Sequence, residues 1–193
     1  QSVIRGFEKV GNSVKIINTP EGVENAESLV LPGVGAFKKG MDGLRERNLI
    51  EPIKKYIQLK KPILGICLGT QLFLSESEEF GIHKGLDLIK GAVIKFKGNQ
   101  FEKKYRIPHI GWNNISSSQD DILLKDIPKN SEMYFVHSFF IKPENKKEIL
   151  ATTRYGNKRF CSVIKKDNIY GCQFHPEKSG EIGLKILDNF GKI

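Results

Sequence analysis

Residues 62–73 read PILGICLGTQLF, in which a short apolar run leads into Gly65-Ile66-Cys67-Leu68-Gly69 and then into a helix-like pattern. A cysteine at a strand-to-helix junction, with a glycine two residues away on each side, is typical of a nucleophile elbow with cysteine in place of serine. The sharp turn strains the backbone at the nucleophile, and side chains at the flanking positions would collide. The N–H groups of the following helix would favour the thiolate. A small buried cysteine beside two packing glycines would leave the same pattern, so the motif alone does not settle its role.

The composition of the chain indicates a globular protein. Its 193 residues are 39% hydrophobic and 27% charged, which allows a substantial core. We find no apolar run near the roughly 20 residues needed to cross a membrane and no signal-peptide pattern, so we expect no membrane association. The three cysteines, at positions 67, 161 and 172, have neither disulfide-framework nor metal-ligand spacing. We therefore expect a reducing cytoplasm, no metal and no cofactor.

The net charge of +9 raises the question of nucleic-acid binding. The lysines are scattered, as in KFKGNQFEKKYR (95–106) and KPENKKE (142–148), which are typical of exposed loops. No nucleic-acid fold signature accompanies them. A solvated basic surface is therefore favoured over a nucleic-acid partner, and such a face would also attract an acidic protein.

The order of predicted elements indicates an α/β fold. QSVIRGFEKV (1–10) has helical apolar spacing, strands are predicted at SVKIIN (13–18) and SLVLPG (28–33), and helices at 36–50 and 51–60 precede the strand PILGI (62–66). From about residue 85 strands dominate, and SGEIGLKILDNFGK (179–192) closes the chain as a helix.

We therefore predict one domain, residues 1–193, with a mostly parallel, flavodoxin-like central sheet flanked by helices and an antiparallel extension in the C-terminal half. A parallel α/β domain is expected to start with a strand and a turn, which would precede Gln1.

QFHPEKS (173–179) supplies the second chemical motif. On an extended segment His175 and Glu177 would face the same side, and Pro176 would restrict the backbone between them. The histidine would then act as a base towards Cys67, with Glu177 orienting it. A His-Pro-Glu triplet alone is weak evidence, but together with a cysteine elbow it favours nucleophilic catalysis.

LPGVGAF (31–37) supplies the third motif. A strand that runs into Pro32-Gly33-Val34-Gly35 leaves backbone N–H groups free to donate to a developing oxyanion. A phosphate-binding loop is disfavoured because no Gly-Lys-Ser/Thr ending follows.

These three motifs, in this order and at these separations, resemble those of the class I (triad) glutamine amidotransferases. The resemblance implies an α/β glutaminase in which Cys67 is the nucleophile, His175 the base and acid, and Glu177 its partner. It also implies an oxyanion site formed by Gly33, Val34, Gly35 and the Leu68 amide.

IPHIGWNNI (107–115), YFVHSF (134–139) and SESEEF (75–80) further resemble the glutaminase subunits of imidazole glycerol phosphate synthases. That resemblance implies that glutamine is held by five residues: Gln71, Glu79, His137, Ser138 and Phe139. It places Trp112, Asn113 and Lys178 against a (βα)8-barrel cyclase partner that receives the ammonia for histidine biosynthesis.

Several alternatives stay open at the level of sequence. A paralogue with the same chemistry would serve an amidotransferase for a bacterial surface sugar. A non-catalytic module, or a cysteine hydrolase on the same fold, would belong to another functional class. Without the resemblance, Trp112 would be read as a packing residue, and His109 and His137 as structural histidines. Glu79 would be part of a solvated acidic helix end. Cys161 and Cys172 are expected to be core thiols.

Overall fold

The computed structural model describes residues 1–97 and 105–193 of the chain, and these form an α/β fold. The strands are β1 Leu29–Gly33, β2 Ile63–Cys67, β3 Leu74–Ser77, β4 His83–Lys84, β5 Ile89–Lys95, β6 His109–Ser117, β7 Glu132–His137, β8 Phe139–Pro143, β9 Ile149–Tyr155, β10 Lys158–Lys166 and β11 Ile169–Cys172. The helices are α1 Ser2–Lys9, α2 Pro20–Asn25, α3 Phe37–Glu46, α4 Ile50–Gln58, α5 Leu68–Leu72 and α6 Gly180–Phe190. Short 3₁₀ turns occupy Ile122–Leu124, Lys146–Glu148 and Pro176–Lys178.

Seven strands form the main sheet, in the order β1-β2-β11-β10-β9-β6-β7. The pairs β1–β2 and β2–β11 are parallel, and the remaining pairs are antiparallel. The predicted α/β class and antiparallel extension are confirmed, although the sheet is more evenly mixed than expected because parallel pairing is confined to β1, β2 and β11. A second sheet, in the order β4-β3-β5-β8, packs beside it.

The core lies on both faces of the main sheet, as the alternation along β2 requires. Leu64 and Ile66 belong to a cluster with Phe7, Phe135 and Phe190. Phe7 and Phe190 come from α1 and α6, so these helices cover this face of the sheet. Ile63 belongs to a second cluster, with the apolar stripes of α3 and α4. The predicted stripe of α3 is buried as expected, since Phe37, Met41 and Leu44 are each less than a tenth exposed.

The strand predicted at SVKIIN is wrong. Residues 12–18 form neither a helix nor a strand in the described structure, and Val14 and Ile16 are exposed. They border a groove of about 640 Å³ whose other wall is the outer edge of β1. An apolar pattern identifies a strand only if a neighbour supplies the hydrogen bonds, and no strand of the described residues reaches this segment.

Two other segments differ from the sequence prediction or lie beyond its test. The short helix α2 was not predicted, although Thr19 caps it by accepting from Gly22 N at 3.2 Å and Pro20 stands at its first position. Most of the basic segment expected as a loop at 95–106 falls outside the described residues. No helix in the described part of the chain has both the length and the apolar character to span a membrane.

Candidate active site

Cys67 sits at the sharp junction between β2 and α5. Its backbone angles, φ 54° and ψ −109°, lie in a region that residues with side chains rarely adopt. Such a conformation costs on the order of 1–3 kcal/mol and persists only where the surroundings enforce it. The strained elbow predicted from the sequence is therefore present, and Cys67 is not an ordinary strand residue.

The two flanking glycines explain how the elbow is held. A Cβ atom on Gly65 would lie 2.6 Å from the Thr70 backbone nitrogen, and one on Gly69 would lie 1.6 Å from the Leu31 carbonyl oxygen. Both distances are shorter than real Cβ contacts allow. Glycine is needed at both positions because the chain doubles back against itself at Thr70 and against β1 at Leu31.

The helix after the elbow is shorter than the sequence pattern indicates. It ends at Leu72, five residues after Cys67, and β3 begins at Leu74. Its dipole is correspondingly small, so charge stabilisation at the sulfur depends more on neighbouring side chains than the sequence led us to expect.

His175 and Glu177 form a buried pair in the loop that follows β11. His175 Nδ1 lies 2.8 Å from Glu177 Oε1, and both side chains are only 4% exposed. Burial alone lowers the pKa of His175, but interactions with Cys67 and Glu177 outweigh it and raise this pKa to about 9. The ring is therefore a cation at neutral pH, which favours a thiolate partner. Its Nε2 is buried with no other partner among the described residues, and the interaction with Cys67 makes it the atom placed to exchange a proton with the sulfur.

The predicted reason for this pairing is wrong in one respect. The segment is not extended throughout, because Pro176–Lys178 form a 3₁₀ turn that His175 begins. Glu177 reaches back across this turn to the ring. Ser179 fixes the turn by donating to the His175 carbonyl at 2.6 Å and accepting from Tyr134 N at 3.0 Å.

The predicted oxyanion segment lies beside the nucleophile. Gly33, the last residue of β1, pairs in register with Cys67. The chain then leaves the sheet through Val34, which is 80% exposed, and Gly35, whose φ of 96° favours glycine. Leu68 follows Cys67 and packs close to Gly33, since a Cβ on Gly33 would lie 3.0 Å from that of Leu68. The structure thus brings Gly33 and Leu68 together beside Cys67, and Val34 and Gly35 follow directly along the chain.

Gln71 and Glu79 are each held by a hydrogen bond to the backbone. The Gln71 side chain is buried, and Nε2 donates to the Phe139 carbonyl at 3.1 Å. One Glu79 oxygen accepts from the N–H of Phe37, the first residue of α3, at 2.6 Å. Glu79 therefore anchors the end of the oxyanion segment, and its second oxygen remains available to a cation.

The His137 side chain does not point into an open site. It is buried among aromatic rings, with Nδ1 2.8 Å from the Phe139 carbonyl and Nε2 3.1 Å from His109 Nδ1. Burial, reinforced by the neighbouring His109, lowers the pKa of His137 to about 3, and burial lowers that of His109 to about 4. Both rings are therefore neutral, and contact between the segment 137–139 and a ligand is left to the backbone and to Ser138.

The three residues predicted to face a partner differ in exposure. Trp112 is 54% exposed on β6, opposite Tyr134, whose carbonyl accepts from His175 N at 2.9 Å. Lys178 is exposed beside the triad. Asn113 is partly buried, and its side chain donates to the Arg154 carbonyl at 2.9 Å.

Sequence reasoning missed several buried residues around the nucleophile. Gln173 Nε2 lies 3.9 Å from the Cys67 sulfur, and Thr70 Oγ1 donates to the Cys172 carbonyl at 2.8 Å. Ser179 holds the histidine loop as described above. Gln173 is separated from Cys67 by 106 positions, so spacing along the chain carries no signal for it.

The family model for class I glutamine amidotransferases matches residues 1–192. This chain belongs to that family. A relative from Legionella pneumophila (strain Paris), imidazole glycerol phosphate synthase subunit HisH 1, is 50% identical over all of this chain and 93% of its own length. HisH subunits from Syntrophotalea carbinolica and Chlorobaculum tepidum are 45% and 40% identical over all of this chain and 94% of their own lengths.

Two solved structures share the fold of this chain. A crystal structure described as a glutamine amidotransferase superposes with a TM-score of 0.74 at 16% identity, covering 98% of this chain and 93% of that one. PurLQS from Thermotoga maritima gives 0.72 at 16% identity, covering 99% and 91%. In this family member the described residues include no group of three or more histidine, cysteine or acidic side chains placed to hold a metal ion.

Proposed function

We propose that this chain is the glutaminase subunit of an imidazole glycerol phosphate synthase and acts in histidine biosynthesis. One observation carries the chemistry: a cysteine on a strained elbow stands at the end of β2, and a buried His–Glu pair follows the adjacent parallel strand β11. The relatives at 40–50% identity, all named as subunits of that synthase, support the pathway.

The proposed reaction begins with attack of the Cys67 thiolate on the side-chain amide carbon of glutamine. The carbonyl oxygen takes the negative charge and receives hydrogen bonds from backbone N–H groups at Gly33, Val34, Gly35 and Leu68. His175, already protonated, gives its proton to the departing nitrogen, and ammonia leaves a glutamyl thioester. Water, deprotonated by His175, then releases glutamate. Glu177 keeps the imidazole oriented and stabilises its charge throughout.

Glutamine recognition follows from the groups that remain free around the sulfur. The second oxygen of Glu79 suits the α-ammonium group, as does Gln71 Oε1, since the amide nitrogen of Gln71 is already used. Ser138 and the backbone of 137–139 suit the α-carboxylate. His137 contributes by holding that backbone, because its ring is engaged within the core.

The partner surface is proposed to lie beside the buried triad. Trp112 and Lys178 are exposed there, and Ile110, on the same face of β6, is 58% exposed. Exposed apolar side chains mark surfaces at which proteins associate, and tryptophan is among the residues that contribute most to binding there. We propose a (βα)8-barrel cyclase as the occupant, with ammonia passed directly to it in the cytoplasm, and Asn113 at the rim.

The alternatives are less well supported. The surface-sugar paralogue would share the triad, but the relatives named above are synthase subunits. A non-catalytic module would have no need of the strained Cys67 or the buried His175–Glu177 pair.

The test is coexpression with a cyclase subunit, followed by copurification and a glutaminase assay with and without the cyclase's nucleotide ligand. We expect a stable complex that converts glutamine to glutamate and yields imidazole glycerol phosphate, and Cys67→Ala should abolish glutamate formation. Glutamine hydrolysis that survives in Cys67→Ala would refute the mechanism, and failure to bind any cyclase would refute the pathway. Trp112→Ala should weaken the complex while leaving the fold intact, with Trp112→Phe as the conservative control.

A further inference from the structure

A chain of buried amide groups lies behind the Cys67 sulfur. Gln173 is fully buried, and its Nε2 atom lies 3.9 Å from Sγ. Its Oε1 atom accepts from Gln71 Nε2 at 3.3 Å, and that same nitrogen donates to the Phe139 carbonyl at 3.1 Å. The contacts therefore run without a break from a backbone carbonyl to the nucleophile.

The direction of these hydrogen bonds is fixed by the Phe139 carbonyl, which can only accept. Gln71 must turn its NH2 group towards that carbonyl, and the same group then faces Gln173. Gln173 in turn must present its oxygen to Gln71, which leaves its own NH2 group facing the sulfur. The group that Gln173 presents to Cys67 is thus a hydrogen-bond donor, because the orientation of each amide is set by its neighbour.

The carbonyl at the other end is itself held by the core. His137 Nδ1 lies 2.8 Å from it, and His137 Nε2 meets His109 Nδ1 at 3.1 Å. A carbonyl partner requires a proton on His137 Nδ1, so the neutral ring accepts from His109 at Nε2. The two rings pack against Phe96, Phe135 and Phe160, which leaves the carbonyl little freedom to turn.

Besides the His175 imidazolium, the sulfur has two polar neighbours of opposite kind. The Val136 carbonyl, 3.9 Å away, suits the thiol, which can donate to it, and repels the thiolate. Gln173 suits the thiolate, because a donor gains strength when its acceptor becomes charged. Gln173 is therefore a side-chain donor placed to offset Val136, in addition to the His175 cation.

We propose that Gln173 is a positioning residue of the nucleophile, which holds the Cys67 thiolate through an amide whose donor end is fixed by Gln71 and the Phe139 carbonyl. The catalytic value of this role rests on the proposed glutaminase function, but the contact between Gln173 and the sulfur does not, because it is made without substrate. It predicts an effect on the chemical step and not on glutamine binding.

The first test uses the reactivity of Cys67 with iodoacetamide, which lacks the amino-acid groups that Gln71 and Glu79 would recognise. Gln173→Met removes the donor at similar volume, and Gln173→Glu replaces it with an acceptor of the same shape. A hydrogen bond to a charged group changes an equilibrium by roughly 10- to 100-fold. We expect alkylation at neutral pH to slow by about that factor in both variants, and the rise of the rate with pH to move to higher pH.

Cys161 and Cys172 provide an internal reference, because both are buried and burial raises the pKa of each well above its usual range. Asn189→Leu is the matched control, since it also removes a buried amide, one that donates to the Leu123 and Lys125 carbonyls away from the site. It should lower thermal stability without slowing alkylation of Cys67. In the assembled synthase, Gln173→Met should lower kcat and leave KM for glutamine within about twofold.

A third measurement needs no substitution at Gln173. In the wild-type chain, the side-chain amide NMR signals of Gln173 should shift over the pH range in which alkylation accelerates, and this shift should vanish in Cys67→Ala. A folded Gln173→Met variant that alkylates within twofold of wild type, or amide signals that ignore pH, would overturn the positioning role. Absence of glutaminase activity in the wild-type synthase, with these reactivity effects intact, would instead refute the proposed function alone.

Discussion

The substitution Gly69→Ala tests how far the active site depends on the close approach of α5 and β1. The new methyl carbon would lie 1.6 Å from the Leu31 carbonyl oxygen, so the two would have to separate by about 1.4 Å to reach even the 3.0 Å limit of real Cβ contacts. Because both groups are backbone, no rotation of a side chain relieves the clash. The separation must instead come from moving the elbow or the end of β1.

Two effects follow from that movement. A displacement of about 1 Å at a catalytic group costs roughly 100-fold in rate, so kcat/KM for glutamine should fall by at least about that factor. Overpacking costs about 1–3 kcal/mol, which for a chain of this size lowers Tm by roughly 2–12 °C. The assay is glutamate release by the assembled synthase, with Tm measured by circular dichroism.

Gly43→Ala is the matched control. Gly43 lies within α3, and a Cβ there would meet only the end of the flexible Arg47 side chain at 3.2 Å. Alanine is favoured over glycine inside a helix by about 1 kcal/mol, so this variant should be as stable as wild type or more so, with full activity. A Gly69→Ala enzyme with wild-type Tm and kcat/KM within threefold of wild type would show that the contact does not constrain the elbow.

Three other outcomes are expected. Glu177→Gln removes a charge that helps to raise the pKa of His175 from 6.5 to about 9. The stabilisation from this raised pKa is complete below about pH 6.5 and is lost as the pH rises through 9, so Tm should fall less across that range in the variant. The kcat of the variant should fall by about 100-fold or more. Glu79→Gln should raise KM for glutamine about tenfold with little change in Tm, because the new side-chain oxygen still accepts from Phe37 N but lacks the charge for an ammonium group; an unchanged KM would remove Glu79 from the substrate site. His109, whose pKa is lowered to about 4, must gain a proton on unfolding below pH 6.5. Acidification from pH 6.5 to 4 should therefore destabilise wild type more than His109→Phe, with stability measured by urea unfolding at each pH. Equal slopes of unfolding free energy against pH in the two proteins would contradict this.

The sequence was sufficient for those parts of the site that depend on local geometry. Gly65 and Gly69 mark the elbow because their lack of a side chain is a steric requirement within a few residues. His175 and Glu177 pair within one turn, so their proximity was predictable even though the turn is 3₁₀ and not extended. The roles proposed for all of these residues in catalysis remain predictions.

The parts that could not be predicted depend on contacts between distant segments. Gln173 meets the sulfur only because β11 lies beside β2, and His137 turns into the core only because β7 pairs with β6. The segment 13–18 shows the converse: its apolar pattern is that of a strand, but pairing depends on a neighbour that local sequence does not specify.

The exposed side chains on β6 also have a consequence for how the protein behaves in concentrated solution. Trp112 is 54% and Ile110 58% exposed, and apolar side chains presented together at a surface favour association between copies of a chain. The net charge of +9 opposes that association through long-range repulsion, which salt screens within about 10 Å at 0.1 M. Colloidal stability should therefore decrease as ionic strength rises.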